Sequence, residues 1–224
     1  MKSKTNKYIF TEDLDYLQTQ NTSIWGNGDP ETLQLLKELA SEKRLFVNWL
    51  NFAAGDGRYN NLILQEVNKV IATDIDKGAL EKLQRTTPED LSAKLSITVQ
   101  DITKPFPFEN NVFDGVFNTG TLHLFPKQIL ETIIPETHRV LKPEGIFILD
   151  FATDITRIRD DGTFIDRSEA TYSKNAAKEM LSELLSKQKF ESQFIECEVP
   201  PEKVTSGDGT YTFSCKYWLI IAKK

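Results

Sequence analysis

Cysteine is scarce in this 224-residue chain. Cys197 and Cys215 are too few for a disulfide framework and have no metal-ligand spacing, so no metal is expected; both lie in strand-like stretches that suit small buried hydrophobes. No apolar run approaches the length of a bilayer span. The lysine-rich residues 1–8 lack the apolar stretch of a signal peptide, so the chain reads as cytoplasmic, without membrane contact. A basic excess is missing too, the formal net charge being −6. Proteins that bind nucleic acid by neutralising phosphates show clustered Lys and Arg, so a small-molecule partner is expected ahead of RNA or DNA. Repeats, low-complexity tracts and long linkers are absent as well. What remains, 39% hydrophobic and 27% charged, is the composition of an ordinary globular chain, long enough for one domain over residues 1–224 with a buried core.

The first clear element start is Asp29-Pro30-Glu31, a capping carboxylate, a proline at the first helical position and an acidic first turn. Leu33, Leu35, Leu36 and Leu39 follow at helical spacing, so residues 1–40 read as an arm and a helix. Beyond it, short apolar runs alternate with helical stretches, the pattern of βαβ units. Strands are expected at 46–52, 70–73, 95–99, 113–117 and 146–151. Helices are expected at 59–67, through Leu80 and Leu83, and at 127–141, the last stopping ahead of Pro143. Residues 154–172, with Asp160-Asp161-Gly162 at their tip, predict a β-hairpin inserted after the fifth strand. A helix at 174–185 follows. The runs 190–199 and 211–222, separated by Ser206-Gly207-Asp208-Gly209, predict an antiparallel ending to a mostly parallel sheet.

Chemistry concentrates at the turns after the strands. Leu50-Asn51-Phe52-Ala53-Ala54-Gly55-Asp56-Gly57-Arg58 is a glycine-bearing strand-to-helix turn, where missing Cβ atoms let a ligand approach the backbone. A dinucleotide fingerprint requires a third glycine where Asn60 stands, and a phosphate-cradling loop requires Lys-Ser or Lys-Thr; both patterns fail. Asp74 ends the second strand about 20 residues after the glycine turn, where a carboxylate meets ribose hydroxyls; Asp76 is the alternative acid, and helix capping the alternative role for Asp74. Asp101-Ile102, just past the third strand, offers an acceptor for an adenine amino group and an apolar contact for its ring.

The order of these pieces resembles the class I S-adenosylmethionine-dependent methyltransferases, especially those related to the ubiquinone and menaquinone biosynthesis enzymes. Carrying the resemblance further are Pro105-Phe106-Pro107-Phe108 with Phe113-Asp114, Leu122-His123, and Arg139-Val140-Leu141-Lys142-Pro143-Glu144-Gly145. It covers residues 47–151 well and the rest in outline. It implies a Rossmann-like three-layer α/β sandwich with a seven-stranded sheet, and S-adenosylmethionine bound by Asn51, Ala53, Gly55, Gly57, Asp74, Ile75, Asp101, Ile102 and Asn118.

The chain departs from the family pattern at three places. Asn51 stands for an acid, Ala53 for the first glycine of the turn and Glu144 for a glycine. Asn51 can hydrogen-bond a methionine ammonium but supplies no charge. Methyl transfer from a sulfonium relies chiefly on holding nucleophile and methyl carbon together, with a base needed only where the nucleophile loses a proton. His123 is the candidate base, with packing as the alternative, and His138 reads as structural. Asn118-Thr119-Gly120-Thr121 lacks the Pro-Pro-aromatic signature of the DNA amino-methyltransferases, and no cysteine is placed for attack on cytosine. Acceptor choice is expected around Trp25 and in residues 154–172. Trp25 closes over the ligands or, alternatively, staples the helix after Asp29; Arg157, Arg159 and Arg167 meet an anionic acceptor or pair with Asp160, Asp161 and Asp166. An RNA or protein methyltransferase of the same fold and a non-catalytic binder of the cofactor are the competing readings.

Overall fold

The structure, a computed structural model, describes residues 15–20, 23–42, 47–167, 169–206 and 209–224. A seven-stranded sheet in the order β3-β2-β1-β4-β5-β7-β6 forms its centre. Its strands are β1 (Asn48–Phe52), β2 (Lys69–Asp74), β3 (Leu95–Val99), β4 (Phe113–Asn118), β5 (Leu141–Ile158), β6 (Glu191–Ser206) and β7 (Gly209–Lys223). Neighbours pair parallel from β3 through β5, whereas β7 runs antiparallel to both β5 and β6. This is the mostly parallel sheet with an antiparallel end that the sequence pattern predicts. The expected first strand includes Phe46, which lies outside the described residues, as do the lysine-rich residues 1–8 and Gly207-Asp208 between the last two strands.

Alternation along the strands divides the core into two layers. Leu50, Phe52, Phe147, Leu149, Phe151, Trp218 and Ile220 face α5 (Lys127–Val140) and α6 (Lys174–Lys187). Trp49, Val70, Phe117, Ile148 and Leu219 face the opposite way, onto α1 (Pro30–Ser41), α2 (Asn60–Glu66) and the short α4 (Glu89–Ser92). Ala72 meets Leu80 and Leu83 of α3 (Lys77–Thr86) on that same side. Helices on both faces make the three-layer sandwich. Among the described residues no helix is long and apolar enough to cross a membrane.

Two motifs of the sequence prove to be architectural. Arg139 near the end of α5 donates to the carbonyls of Phe106 and Phe108 and pairs with Glu136, which itself accepts the Phe106 amide. The Pro105–Phe108 run (residues 105–108) is thereby strapped to α5. Asp114 accepts the Asn48 amide on one oxygen and Lys142 on the other, tying the starts of β1, β4 and β5 together. Glu144 takes φ 65°, so the glycine-like backbone is kept where the family glycine is replaced.

Two expectations need correction. Asp29 occupies the N-cap position of α1 but makes no capping bond; its carboxylate accepts instead from the Tyr59 hydroxyl and Arg58. The fifth strand does not end at 151: it runs on to Ile158 alongside β7, with a bulge between Thr153 and Thr156 where Asp154 has φ 49°. The hairpin expected after the fifth strand is present around its predicted tip, Asp160-Asp161-Gly162, with an antiparallel bridge from Ile158 to Phe164 and hydrogen bonds from Arg159 to Thr163 and from Ile165 to Arg157, but its first strand is the extension of β5. β6 is bulged at the same level of β7, between Val199 and Glu202, where Pro200 and Pro201 donate no ladder hydrogen bonds. β5, β6 and β7 consequently overhang the parallel sheet beyond Asn118, the last residue of β4.

Gly115 in β4 shows how tightly the centre is packed: a Cβ there would lie 2.3 Å from the Trp49 indole. Gly115→Ala is expected to lower unfolding stability by about 1–3 kcal/mol through overpacking, measured by urea denaturation.

Candidate functional site

The carboxyl ends of the parallel strands converge on one edge of the sheet, the edge where open α/β sheets take ligands. At its centre the chain leaves β1 through Ala53, Ala54, Gly55, Asp56 and Gly57 before entering α2. Ala53, Gly55 and Gly57 all have positive φ (49°, 54° and 84°). Ala53 holds this left-handed conformation at a cost of roughly 1–2 kcal/mol that glycine would not incur. A Cβ on Gly57 would lie 2.2 Å from Leu83 Cδ1, so this glycine lets α3 close against the turn. Asn60, which breaks the dinucleotide pattern, is fully buried, and its Oδ1 accepts from Asn51 Nδ2 at 3.1 Å.

Asp74 organises the next strand end. One carboxylate oxygen accepts the Gly55 amide at 2.8 Å and the other the Asp76 amide at 2.9 Å. Asp76 is the residue that caps α3, accepting from the Gly78 and Ala79 amides. The two acids thus divide the alternatives left open by the sequence. Burial raises the Asp74 carboxyl above its ordinary value, against the pull of the Asp76 and Gly55 amides. Each oxygen retains a lone pair for a further donor such as a ribose hydroxyl. Beside it, Gln100 at the end of β3 is buried with neither side-chain polar atom hydrogen-bonded among the described residues. Asp101 accepts from the amide and hydroxyl of Thr103; Ile102 is buried and Ile75 half-buried. At the end of β4, Asn118 Nδ2 donates to the Phe52 carbonyl while its buried Oδ1 has no described partner.

The arm before α1 lies over the glycine turn. Asp56 accepts the Ser23 hydroxyl at 2.5 Å, the Ile24 amide at 2.8 Å and the Lys82 ammonium at 2.9 Å. Lys82, on α3, is only 1% exposed. Arg58 donates to the Trp25 carbonyl. The Trp25 indole nitrogen is 3.5 Å from where a Gly55 Cβ would be, and the side chain is 51% exposed. Trp25 therefore covers the glycine turn; it is not a buried staple under α1.

On the other face of the sheet, His123 sits in a one-turn 3-10 helix with its ring edge-on to Phe151. Burial, reinforced by Arg157, lowers its pKa to about 4, so the ring is neutral near pH 7 and a weak proton acceptor. His138 packs edge-on against Phe190. Two of the three overhang arginines are engaged: Arg157 pairs with Glu169 at 2.6 Å, not with the neighbouring aspartates, and Arg167 donates to the Tyr211 hydroxyl. Asp160 pairs with Lys203 of β6. Among the described residues, no group of three or more His, Cys, Asp or Glu side chains is placed to hold a metal ion.

Sequence reasoning passed over Asp150 and Gln100. Asp150 is buried on β5, where its carboxylate accepts the Gly120 amide at 2.6 Å. Burial, against the Gly120 hydrogen bond and Arg58, pushes its pKa up to about 7. The available signal was one acid inside the apolar run from Ile146 to Phe151.

Comparison with known proteins agrees with this fold. Residues 50–149 match a family model described as a methyltransferase domain. Over 100 residues the chain is 31% identical to the uncharacterised methyltransferase sll0829 of Synechocystis, a match spanning 45% of this chain and 44% of that protein. The fold is similar to the YcgJ protein of Bacillus subtilis, with TM-score 0.67, 18% identity, and coverage of 88% of this chain and 99% of the other. It is also similar to the magnesium protoporphyrin IX methyltransferase of Synechocystis, solved with bound S-adenosylhomocysteine, with TM-score 0.58, 14% identity, and coverage of 87% and 83%.

Lys82→Met keeps the buried stem but leaves the Asp56 carboxylate unpaired. It is expected to cost about 3–5 kcal/mol in urea unfolding, with part recovered by adding Asp56→Asn. For Asp150, the folded pKa lies above the unfolded value, so its contribution to stability is lost as pH rises from about 4 to about 7. Asp150→Asn should melt with the wild type below pH 4 and at higher temperature than the wild type at pH 8. Residues 50–149 thus resemble a methyltransferase domain, in a chain whose Rossmann-like fold is similar to that of solved methyltransferases.

Proposed function

We propose that this chain is an S-adenosylmethionine-dependent methyltransferase acting on a small-molecule acceptor. The observation that carries the reading is Asp74, a buried carboxylate at the centre of the sheet edge, held against Gly55 and still able to accept two hydroxyls. The neighbouring groups fit the rest of the cofactor. The turn at Ala53, Gly55 and Gly57 is bare of large side chains. Ile75 and Ile102 offer apolar contacts beside Asp101 for an adenine ring. Asn118 Oδ1 is a buried acceptor suited to the amino-acid part, with Asn51 on the adjoining strand β1. Bound there, the cofactor supplies an electrophilic methyl group on a sulfonium. The protein's share is to hold that methyl carbon and the acceptor in line at near-attack distance, worth up to about 7–11 kcal/mol in favourable cases.

The motifs most like those of the ubiquinone and menaquinone enzymes are committed to packing, as Arg139 and Asp114 show, so they carry no information on the acceptor. The acceptor side is argued from Trp25 and the overhang of β5, β6 and β7. There Arg157, Arg167 and Lys203 are engaged within the protein and so are not free to meet a phosphate backbone. This favours a small molecule over RNA.

A thermal-shift series with S-adenosylmethionine, S-adenosylhomocysteine and NAD tests the reading. The two sulfur nucleosides are expected to raise the melting temperature and NAD to leave it unchanged; stabilisation by NAD alone overturns the assignment. Asp74→Ala should abolish the shift.

A further inference from the structure

Asp150 is 6% exposed, and its carboxylate has a single described hydrogen bond, from the Gly120 amide. By strand alternation it lies on the same face as Ile148 and Asn51, toward α1 and α2. The ionisable groups around it are accounted for. Ahead of α1, Asp29 is bound to Tyr59 and Arg58; before α2, Arg58 is shared between Asp29 and the Trp25 carbonyl. On β7, Tyr217 donates to Glu31, and burial together with Asp150 pushes the Cys215 thiol up to about 12. Among the described residues, no lysine or arginine pairs with Asp150. The other acids at this edge have partners of their own: Asp56 pairs with Lys82, Asp74 accepts two amides, Asp76 caps α3 and Asp101 accepts from Thr103. Asn51, where the resembling family has an acid, is neutral and bound to Asn60.

A buried carboxylate with one neutral donor is costly when ionised, and a cation brought by a ligand removes that cost. A lone acid does not make a metal site, but it suits an ammonium. We propose that Asp150 is the counter-ion for a ligand's ammonium group at the ligand edge of the sheet. That group is either the amino-acid ammonium of the cofactor or a primary amine at the methyl-transfer position. Asn118 Oδ1, two residues before Gly120, is a further buried acceptor at the same edge. The proposal rests on the cofactor reading above. Because burial holds the Asp150 carboxyl near neutrality, binding of the cation is coupled to loss of its proton and tightens as pH rises from 6 to 8.

Calorimetric titration of the full chain at pH 6 and pH 8 with three nucleosides tests it. The ligands are 5′-methylthioadenosine, without the amino-acid part; S-adenosylhomocysteine, with it; and sinefungin, which adds an amine where the methyl group sits. Asp150→Asn keeps an acceptor for the Gly120 amide. It is expected to bind methylthioadenosine like the wild type while losing about tenfold or more toward an ammonium-bearing ligand. A loss toward S-adenosylhomocysteine assigns the cofactor's own ammonium, and a loss toward sinefungin alone assigns the transfer position. In either case the wild-type preference for that ligand over methylthioadenosine grows between pH 6 and pH 8. Equal binding of all three by both proteins overturns the proposal while leaving the cofactor reading intact, as does a loss shared by methylthioadenosine, which marks a structural role. Failure of the wild type to bind any of the three overturns the cofactor reading, and this proposal with it.

Discussion

The buried ion pair between Asp56 and Lys82 is the constraint on which the ligand edge depends. A carboxylate and an ammonium removed from water together are tolerable only with good geometry and additional hydrogen bonds. Those come from the Ser23 hydroxyl and the Ile24 amide. One acid therefore joins three elements: the turn after β1, helix α3 and the arm before α1. The position of Trp25 over Gly55 follows from that join, as does the contact of Gly57 with Leu83.

Around this point the strand ends hold each other through carboxylates and backbone amides rather than through side-chain packing alone. Asp74 draws Gly55 and Asp76 to β2, and Asp150 draws Gly120 to β5. Asp114 does the same at the far end of the sheet for β1 and β5. Among the buried polar groups without a described partner, Gln100 and Asn118 Oδ1 lie at the carboxyl ends of β3 and β4. Buried polar groups are rarely left unpaired in native structures, so these two side chains are free to meet a ligand at that edge.

Much of the fold was legible because its signals are local. Pro30 and the leucines after it marked α1, and Pro143 marked where α5 had to have ended. The alternating apolar runs placed the parallel strands to within a few residues. Local rules failed where a distant partner decided the outcome. Asp29 reads as a cap but is claimed by Tyr59 and Arg58. Residues 154–158 read as half of a hairpin, which they are, but they also continue β5, since β7 offers them a longer ladder than the returning chain. Asp150 passed as one polar residue in a strand, because its burial depends on β7 and the loop after β4.

The sequence by itself determined the order of elements, the glycine turn and the acids at the strand ends, since these depend on periodicity, turn chemistry and spacing along one chain. Only the tertiary structure decided which acid does what. Asp74 faces the glycine turn while Asp76 caps a helix, Asp56 is neutralised by a lysine 26 positions away, and Asp150 has no cation paired with it among the described residues. The physical reason is common to all four: a carboxylate's role is set by the donors and the burial that other elements bring to it, and neither is written in its neighbours along the chain.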